Sequence, residues 1–143
     1  MKGKKKMKKT LLNASALILA LLTLLTLVSC AEKVDATGLW EDATYLADTT
    51  VGKGEKTVTV EIVAAEQSIV LTVKTDKGNL GDALFEHGLI NDPAFFNVCN
   101  GILASWENDQ AYWSFKQNGK MLNYGVNDAE ISGGESFSIE YTK

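Results

Sequence analysis

A single histidine, His87, and two cysteines, Cys30 and Cys99, are all the chain offers of the side chains that most often do nucleophilic or metal chemistry. No Cys-x-x-Cys, no His-x-x-x-His and no twelve-residue calcium loop occurs, so the spacing of a metal site is missing. The carboxylates are dispersed and form no convergent acid/base pair, which reads as a non-enzymatic chain. Asp128 and Glu130 lie close together, but between Gly125 and Gly133 they read as solvated turn residues. Two cysteines make no disulfide framework. Cys99 falls in an alternating Phe-Asn-Val-Cys segment and reads as a small buried hydrophobe rather than a nucleophile. The only proline, Pro93, marks a loop that turns the chain toward extended geometry.

What the chain does have is concentrated first at its beginning. Six lysines (Lys2, Lys4, Lys5, Lys6, Lys8, Lys9) precede an almost wholly apolar run from Leu11 to Val28, then the small residue Ser29 and Cys30. Positive flank, apolar run and small residue are the pattern of a secretory signal peptide. As a bare transmembrane helix the run of roughly 18 residues would sit near the lower limit for a hydrocarbon core of about 30 Å. Leu27-Val28-Ser29-Cys30 resembles the lipobox of bacterial lipoproteins. That resemblance implies a diacylglyceryl group on the Cys30 thiol, cleavage before it, and a membrane partner reached through the lipid, each buried CH₂ contributing about 0.8 kcal/mol. The expected plan is a signal peptide over 1–29, a polar spacer over 30–37 and one domain over 38–143, extracytoplasmic and lipid-anchored to the cell membrane. Removing six lysines from a chain of 14 basic and 18 acidic residues shifts the formal charge from −4 to −10, which excludes a nucleic-acid partner.

Hydrophobic periodicity then gives the order of elements. Leu39 to Leu46, with Trp40 and Tyr45, reads as a first, loosely paired strand. Thr57 to Val63 alternates Val58, Val60 and Ile62 against Thr57, Thr59 and Glu61, and Ser68 to Thr75 repeats the alternation with Ile69, Leu71 and Val73, so the two should form a hairpin. From Asn79 to His87 the period changes to three and four through Leu80, Ala83 and Leu84, with Gly88 at the C′ position of a helix and Leu89 able to close onto Leu84. His87 is thereby a last-turn residue near the helix dipole. Asn100-Gly101 and Asn118-Gly119 predict two further hairpins: Phe96 and Val98 toward Ile102 and Ala104, and Tyr112 to Lys116 toward Met121 to Tyr124. Ser132-Gly133-Gly134 predicts a turn, and Glu135 to Tyr141 a closing strand. The fold class is α+β: ββα followed by antiparallel hairpins, with one short helix packed on a mixed or mostly antiparallel sheet.

The motifs Ala111-Tyr112-Trp113-Ser114-Phe115, Asn118-Gly119-Lys120, Tyr124-Gly125-Val126-Asn127-Asp128 and Ile131-Ser132-Gly133-Gly134-Glu135 follow one another in an order that goes beyond local turns. With Leu39-Trp40-Glu41-Asp42-Ala43-Thr44-Tyr45, Lys74-Thr75-Asp76 and Leu80-Gly81-Asp82-Ala83-Leu84, the sequence resembles the transcobalamin C-terminal-like domain, a domain of unknown function common in lipoproteins of Gram-positive bacteria. The resemblance implies a β-grasp-like body related to the smaller domain of vitamin B12 carriers, where a Tyr-Trp strand and a neighbouring loop help cover the corrin ring. On that basis Tyr112, Trp113, Asn100, Gly101 and Ile102 are the ligand-binding candidates, beside the turn Asn118-Gly119. Phe95-Phe96-Asn97-Val98-Cys99 departs from the tyrosine- and lysine-bearing strand usual before the Asn-Gly turn. The carriers' large helical partner domain has no counterpart in these 143 residues, so a face rather than an enclosed pocket is implied.

Two functions remain open on the sequence. The first is a binding module whose aromatic face, Trp113 with Tyr112 and with Trp40 or Trp106 beside them, takes a corrinoid or other small ligand; no other cofactor is expected apart from the lipid. The second is a surface interaction module that docks another envelope protein or polymer. Trp113 and Phe115 share one strand face and read as core, whereas Tyr112 points to the other face.

Overall fold

The computed structural model describes residues 32–143, so the expected signal peptide and Cys30 lie outside the described residues. Among the described residues no helix is long and apolar enough to cross a membrane.

The alternating segments form a hairpin. β2 (Lys56–Ala64) and β3 (Gln67–Thr75) pair in antiparallel register along their whole lengths, from Lys56↔Thr75 to Ala64↔Gln67. Val58, Val60, Ile62, Ile69, Leu71 and Val73 are buried on one face, as a period of two requires. The turn is Ala65-Glu66, both residues at positive φ (49° and 65°), a geometry that favours Asn-Gly and that this hairpin imposes on two ordinary residues.

α1 (Leu80–Glu86) follows as the periodicity predicts. Asn79 caps it: its side-chain oxygen accepts from the Asp82 N–H at 2.8 Å, and its amide donates to the Asp82 carboxylate at 2.9 Å. At the other end the Leu89 N–H donates to the Leu84 carbonyl and the Gly88 N–H to the Phe85 carbonyl. These are the two bonds of a Schellman motif, with Gly88 at φ +66° where a side chain would be strained. Leu80, Ala83 and Leu84 are laid on the buried face of the sheet.

β6 (Tyr112–Gln117), β7 (Lys120–Met121) and β8 (Ser136–Thr142) complete a six-stranded sheet in the order β1-β3-β2-β8-β6-β7, where β1 is Thr49–Gly52. β8 runs parallel to β2 at the centre and antiparallel to β6. The order β3-β2-β8-β6-β7 around a central parallel pair, with one helix across the sheet, is the β-grasp arrangement, so the α+β expectation holds. A separate two-stranded ribbon, β4 (Val98–Cys99) with β5 (Ile102–Leu103), carries the Asn100-Gly101 turn. Phe115 stacks on Phe137 (5.6 Å, 24°) and Trp113 meets Tyr141 edge-on (5.5 Å, 84°) within the core.

Three expectations are corrected. Leu39 to Leu46 is no strand: Gly38–Asp42 is a 3-10 turn, and Trp40 is fully buried, its indole N–H donating to the Ala64 carbonyl at 2.8 Å. The main chain after it is held by Asn100 instead of by a strand partner. The folded body also reaches back before Gly38, because the Val34 N–H donates to the Leu46 carbonyl and the Asp35 N–H to the Gln67 side chain, both at 2.8 Å. The β6–β7 hairpin pairs only Lys116↔Met121 and Gln117↔Lys120, so the chain leaves β6 well before Tyr124.

Glu135 sets the entry into β8. Its carboxylate accepts from the Ser132 N–H (2.6 Å), the Ser132 hydroxyl (2.8 Å) and the Gly133 N–H (2.9 Å). The Ser132 N–H above all holds its pKa at about 2, below the ordinary 4.5. A folded-state pKa below the unfolded one gives stability that is full above pH 4.5 and lost as pH falls toward about 2. Urea midpoints measured at pH 7 and pH 3 should therefore differ more in the wild type than in Glu135→Gln. Asp92 and Glu140, also held low, leave the variant a residual slope in the same window.

Candidate functional site

The aromatic side chains divide into a buried set and an exposed set, and most of the exposed set gathers at one place; Phe85 of α1, 50% exposed, lines neither of the grooves there. Strand alternation in β6 turns Trp113 and Phe115 into the core and leaves Tyr112 45% exposed. Just before it, a one-turn helix, Trp106–Asp109, is capped by the Ser105 hydroxyl, which accepts from the Asn108 N–H at 3.2 Å. It ends at Gln110, at φ +53°, where the chain turns into β6. This turn holds Trp106 outward, 66% exposed, with its ring 6.3 Å from that of Tyr112 and tilted by 59°. A groove of about 510 Å³ lies here, walled by Phe96, Trp106, Glu107, Tyr112 and Trp113.

A second groove of about 320 Å³ shares Phe96, Tyr112 and Trp113 with the first and continues past Phe95, Met121 and Tyr124. Phe95 is 92% exposed, and its position is built in. The Asp92 carboxylate accepts from the Phe95 N–H at 2.8 Å and the Ala94 N–H at 2.7 Å, bonds that hold its pKa below the usual range. The Asn91 side chain in turn accepts from the Asn97 and Val98 N–H groups and donates to Asn97, closing the loop that presents Phe96.

The predicted site residues do not all reach this face. Tyr112 does, and Trp113 lines both grooves from a mostly buried position, its indole N–H donating to the Asn97 carbonyl at 3.2 Å. Asn100 is completely buried: its side-chain oxygen accepts from the Tyr45 N–H and its amide donates to the Tyr45 carbonyl, each at 2.9 Å. Gly101, at φ +82°, passes so close to the Asp42 carbonyl that a Cβ would stand 2.3 Å from it. Ile102 is buried in the core. These three positions clamp the 38–45 segment to the β4–β5 ribbon and line neither groove. Trp40 belongs to the core, not to the aromatic face. Cys99 is buried, which raises its thiol pKa and keeps it neutral. His87 caps α1 with its Nε2 at 3.2 Å from the Lys74 carbonyl. Phe95, Phe96, Met121 and Tyr124 read from sequence as strand positions and not as site residues; the non-alternating Phe-Phe pair two residues after Pro93 is a signal for the first two, and nothing local marks Met121 and Tyr124.

Strand order and an open aromatic face together define a small β-grasp domain with two adjoining surface grooves. The family described as a domain of unknown function, DUF4430, matches residues 70–143, just over half of the sequence, and the chain belongs to that family. The chain is similar in structure to a protein of Ruminococcus gnavus ATCC 29149 described as a candidate metal binder, with a TM-score of 0.57 and 21% identity over 62% of this chain and 98% of that one. That likeness is one of fold, and among the described residues no three His, Cys, Asp or Glu side chains come together to hold a metal ion. Haptocorrin, solved in complex with Cbi, is also similar, with a TM-score of 0.46 and 17% identity over 62% of this chain and 25% of haptocorrin. No curated protein sequence matches.

The clamp gives a direct test. Asn100→Ala removes two hydrogen bonds and leaves the Tyr45 N–H and C=O without partners in the interior, at a cost of about 2–4 kcal/mol. Urea unfolding followed by circular dichroism should show that loss.

Proposed function

We propose that this protein is a lipid-anchored, extracytoplasmic, non-enzymatic binding module that offers its aromatic face to a corrinoid or other small ligand. One observation carries the reading. Phe95, Trp106, Tyr112, Met121 and Tyr124 stand exposed around two grooves that meet at Phe96, Tyr112 and Trp113, and of the large hydrophobics exposed on this body only Val70, Phe85 and Leu103 lie outside them among the described residues. Contiguous exposed apolar surface of this kind marks a contact site. The corrinoid class comes from the order of sequence motifs shared with the transcobalamin C-terminal-like domain. Anchoring rests on the Leu-Val-Ser-Cys30 motif and its lysine-flanked apolar run. A non-enzymatic role is supported by the two groups that nucleophilic chemistry would call on, since Cys99 is buried and His87 rests against the Lys74 carbonyl.

A second reading has its own observation. β7 pairs with only Lys116 and Gln117, so among the described residues the outer edge of β6 from Tyr112 to Ser114 has no strand beside it. Such an edge accepts a further strand, which favours docking of another envelope protein through this side of the sheet.

Calorimetric titration of the full chain with cobalamin and cobinamide tests the first reading. Saturable heat that falls in Trp106→Ala and Tyr112→Ala, both exposed positions whose truncation leaves the core intact, supports it. No heat from the wild type removes the stand-alone corrinoid reading and directs the search to crosslinked envelope partners. Anchoring has a separate readout: mass spectrometry should find a diacylglyceryl group on Cys30 as the N-terminus of the mature wild-type chain and none in Cys30→Ser, and a wild-type chain cleaved without that mass would refute it.

A further inference from the structure

The groove between Trp106 and Tyr112 has a sign of charge as well as a shape. Between Lys77 and Lys116 the chain carries no lysine or arginine, and the carboxylates of Glu107 and Asp109 stand on the turn that presents Trp106. Glu107 lines the groove itself. Asp109 faces the neighbouring Tyr141, whose hydroxyl pKa is raised by burial and then by that carboxylate. Among the described residues neither Glu107 nor Asp109 is in an ion pair; Lys116 has its ammonium 2.7 Å from Glu140, and Lys143, one residue past the Thr142 that pairs with Tyr112, is the cation nearest the groove by register and is in no ion pair with either carboxylate. Aromatic ring faces carry negative potential, and two rings 6.3 Å apart and tilted by 59° form a wedge whose walls can both face one guest. Rings and carboxylates thus favour the same charge on an occupant.

We infer that this groove is a site for a small organic cation, an alkylammonium group seated against Trp106 and Tyr112 with Glu107 at its rim and Asp109 on the adjoining turn. The inference rests on the aromatic face of the proposed function and narrows the chemistry of what that face takes. An anion would meet unpaired carboxylates, and a neutral apolar guest would forgo both the ring quadrupoles and the rim charge. The cation is organic because the Trp106, Tyr112, Phe96 and Trp113 rings are part of the walls, whereas a bare metal ion would need three converging His, Cys, Asp or Glu ligands, which do not gather among the described residues.

Choline and its uncharged isostere 3,3-dimethylbutan-1-ol separate charge from shape. Titrated into the full chain, choline should change tryptophan fluorescence saturably, since Trp106 is the exposed indole while Trp40 and Trp113 are buried. It should bind at least about fivefold more tightly than the alcohol and more weakly as salt is raised. By calorimetry, Glu107→Gln and Trp106→Ala should each weaken choline by about fivefold or more. Equal binding of the alcohol, or choline binding untouched by both substitutions, overturns the inference. Cobalamin heat without any choline response overturns it while leaving the corrinoid reading in place. Choline binding without cobalamin heat sustains it and removes the corrinoid; silence toward both removes both.

Discussion

The parallel pairing of β2 with β8 is the constraint on which the rest of the domain depends. It joins residues 77 positions apart, as in the Thr59–Ser136 hydroxyl contact at 2.8 Å, and among the described residues it is the only strand pairing between the β2–β3 hairpin and the β6–β7 side of the sheet. No short turn can enforce a parallel pair, so its register is set by side chains. Val60 and Ile62 lie beside Phe137 and Ile139 on the covered face. The glutamate-bound turn over Ser132–Gly134 delivers β8 to that register, the Gly134 N–H donating to the Thr57 carbonyl at 2.7 Å. Everything that positions Tyr112 and Trp113 follows, because β6 is held by β8 alone along the half of its length that carries them.

Buried and exposed aromatics have been sorted by local geometry rather than by residue type. Trp40 and Trp106 are the same side chain with opposite fates. One follows a glycine at positive φ into a 3-10 turn and finds the Ala64 carbonyl for its indole N–H; the other begins a capped helical turn that faces water. Two Asx-type loops do the same for the phenylalanines, Asp92 fixing Phe95 outward and Asn91 closing the segment behind Phe96. Polar side chains gripping their own backbone thus shape an apolar surface. The grooves depend on these short-range bonds and not on cavities in the core.

What was legible in the sequence was whatever is decided locally. The β2–β3 alternation, the helix with its glycine end, the Asn-Gly turns at 100–101 and 118–119 and the closing strand all lie where their periodicity and turn chemistry put them. What was not legible depends on partners far along the chain. Leu39 to Leu46 has strand-like composition, but Asn100 takes up the hydrogen bonds that a strand there would need, and nothing near residue 40 announces a partner 55 positions away. β1 is four residues with one buried side chain, Val51, too short for a period to show. For the same reason Asn100, Gly101 and Ile102 could be read as a turn but not as a clamp. Tyr112 was legible as the outward residue of its strand, whereas Phe95 and Tyr124 join it only because loops bring them there.

Placing β8, which follows the other described strands in chain order, at the middle of the sheet also has a consequence for how the chain is produced. Synthesis delivers β2 and β3 early and β8 after every other element, and sheets dominated by distant pairings close slowly. Until β8 emerges, the growing polypeptide holds a hairpin, a helix and an uncapped apolar face, with no means of completing its core. A chain whose core stays open until this distant strand has paired acquires resistance to proteolysis late, in one step, when β8 enters between β2 and β6.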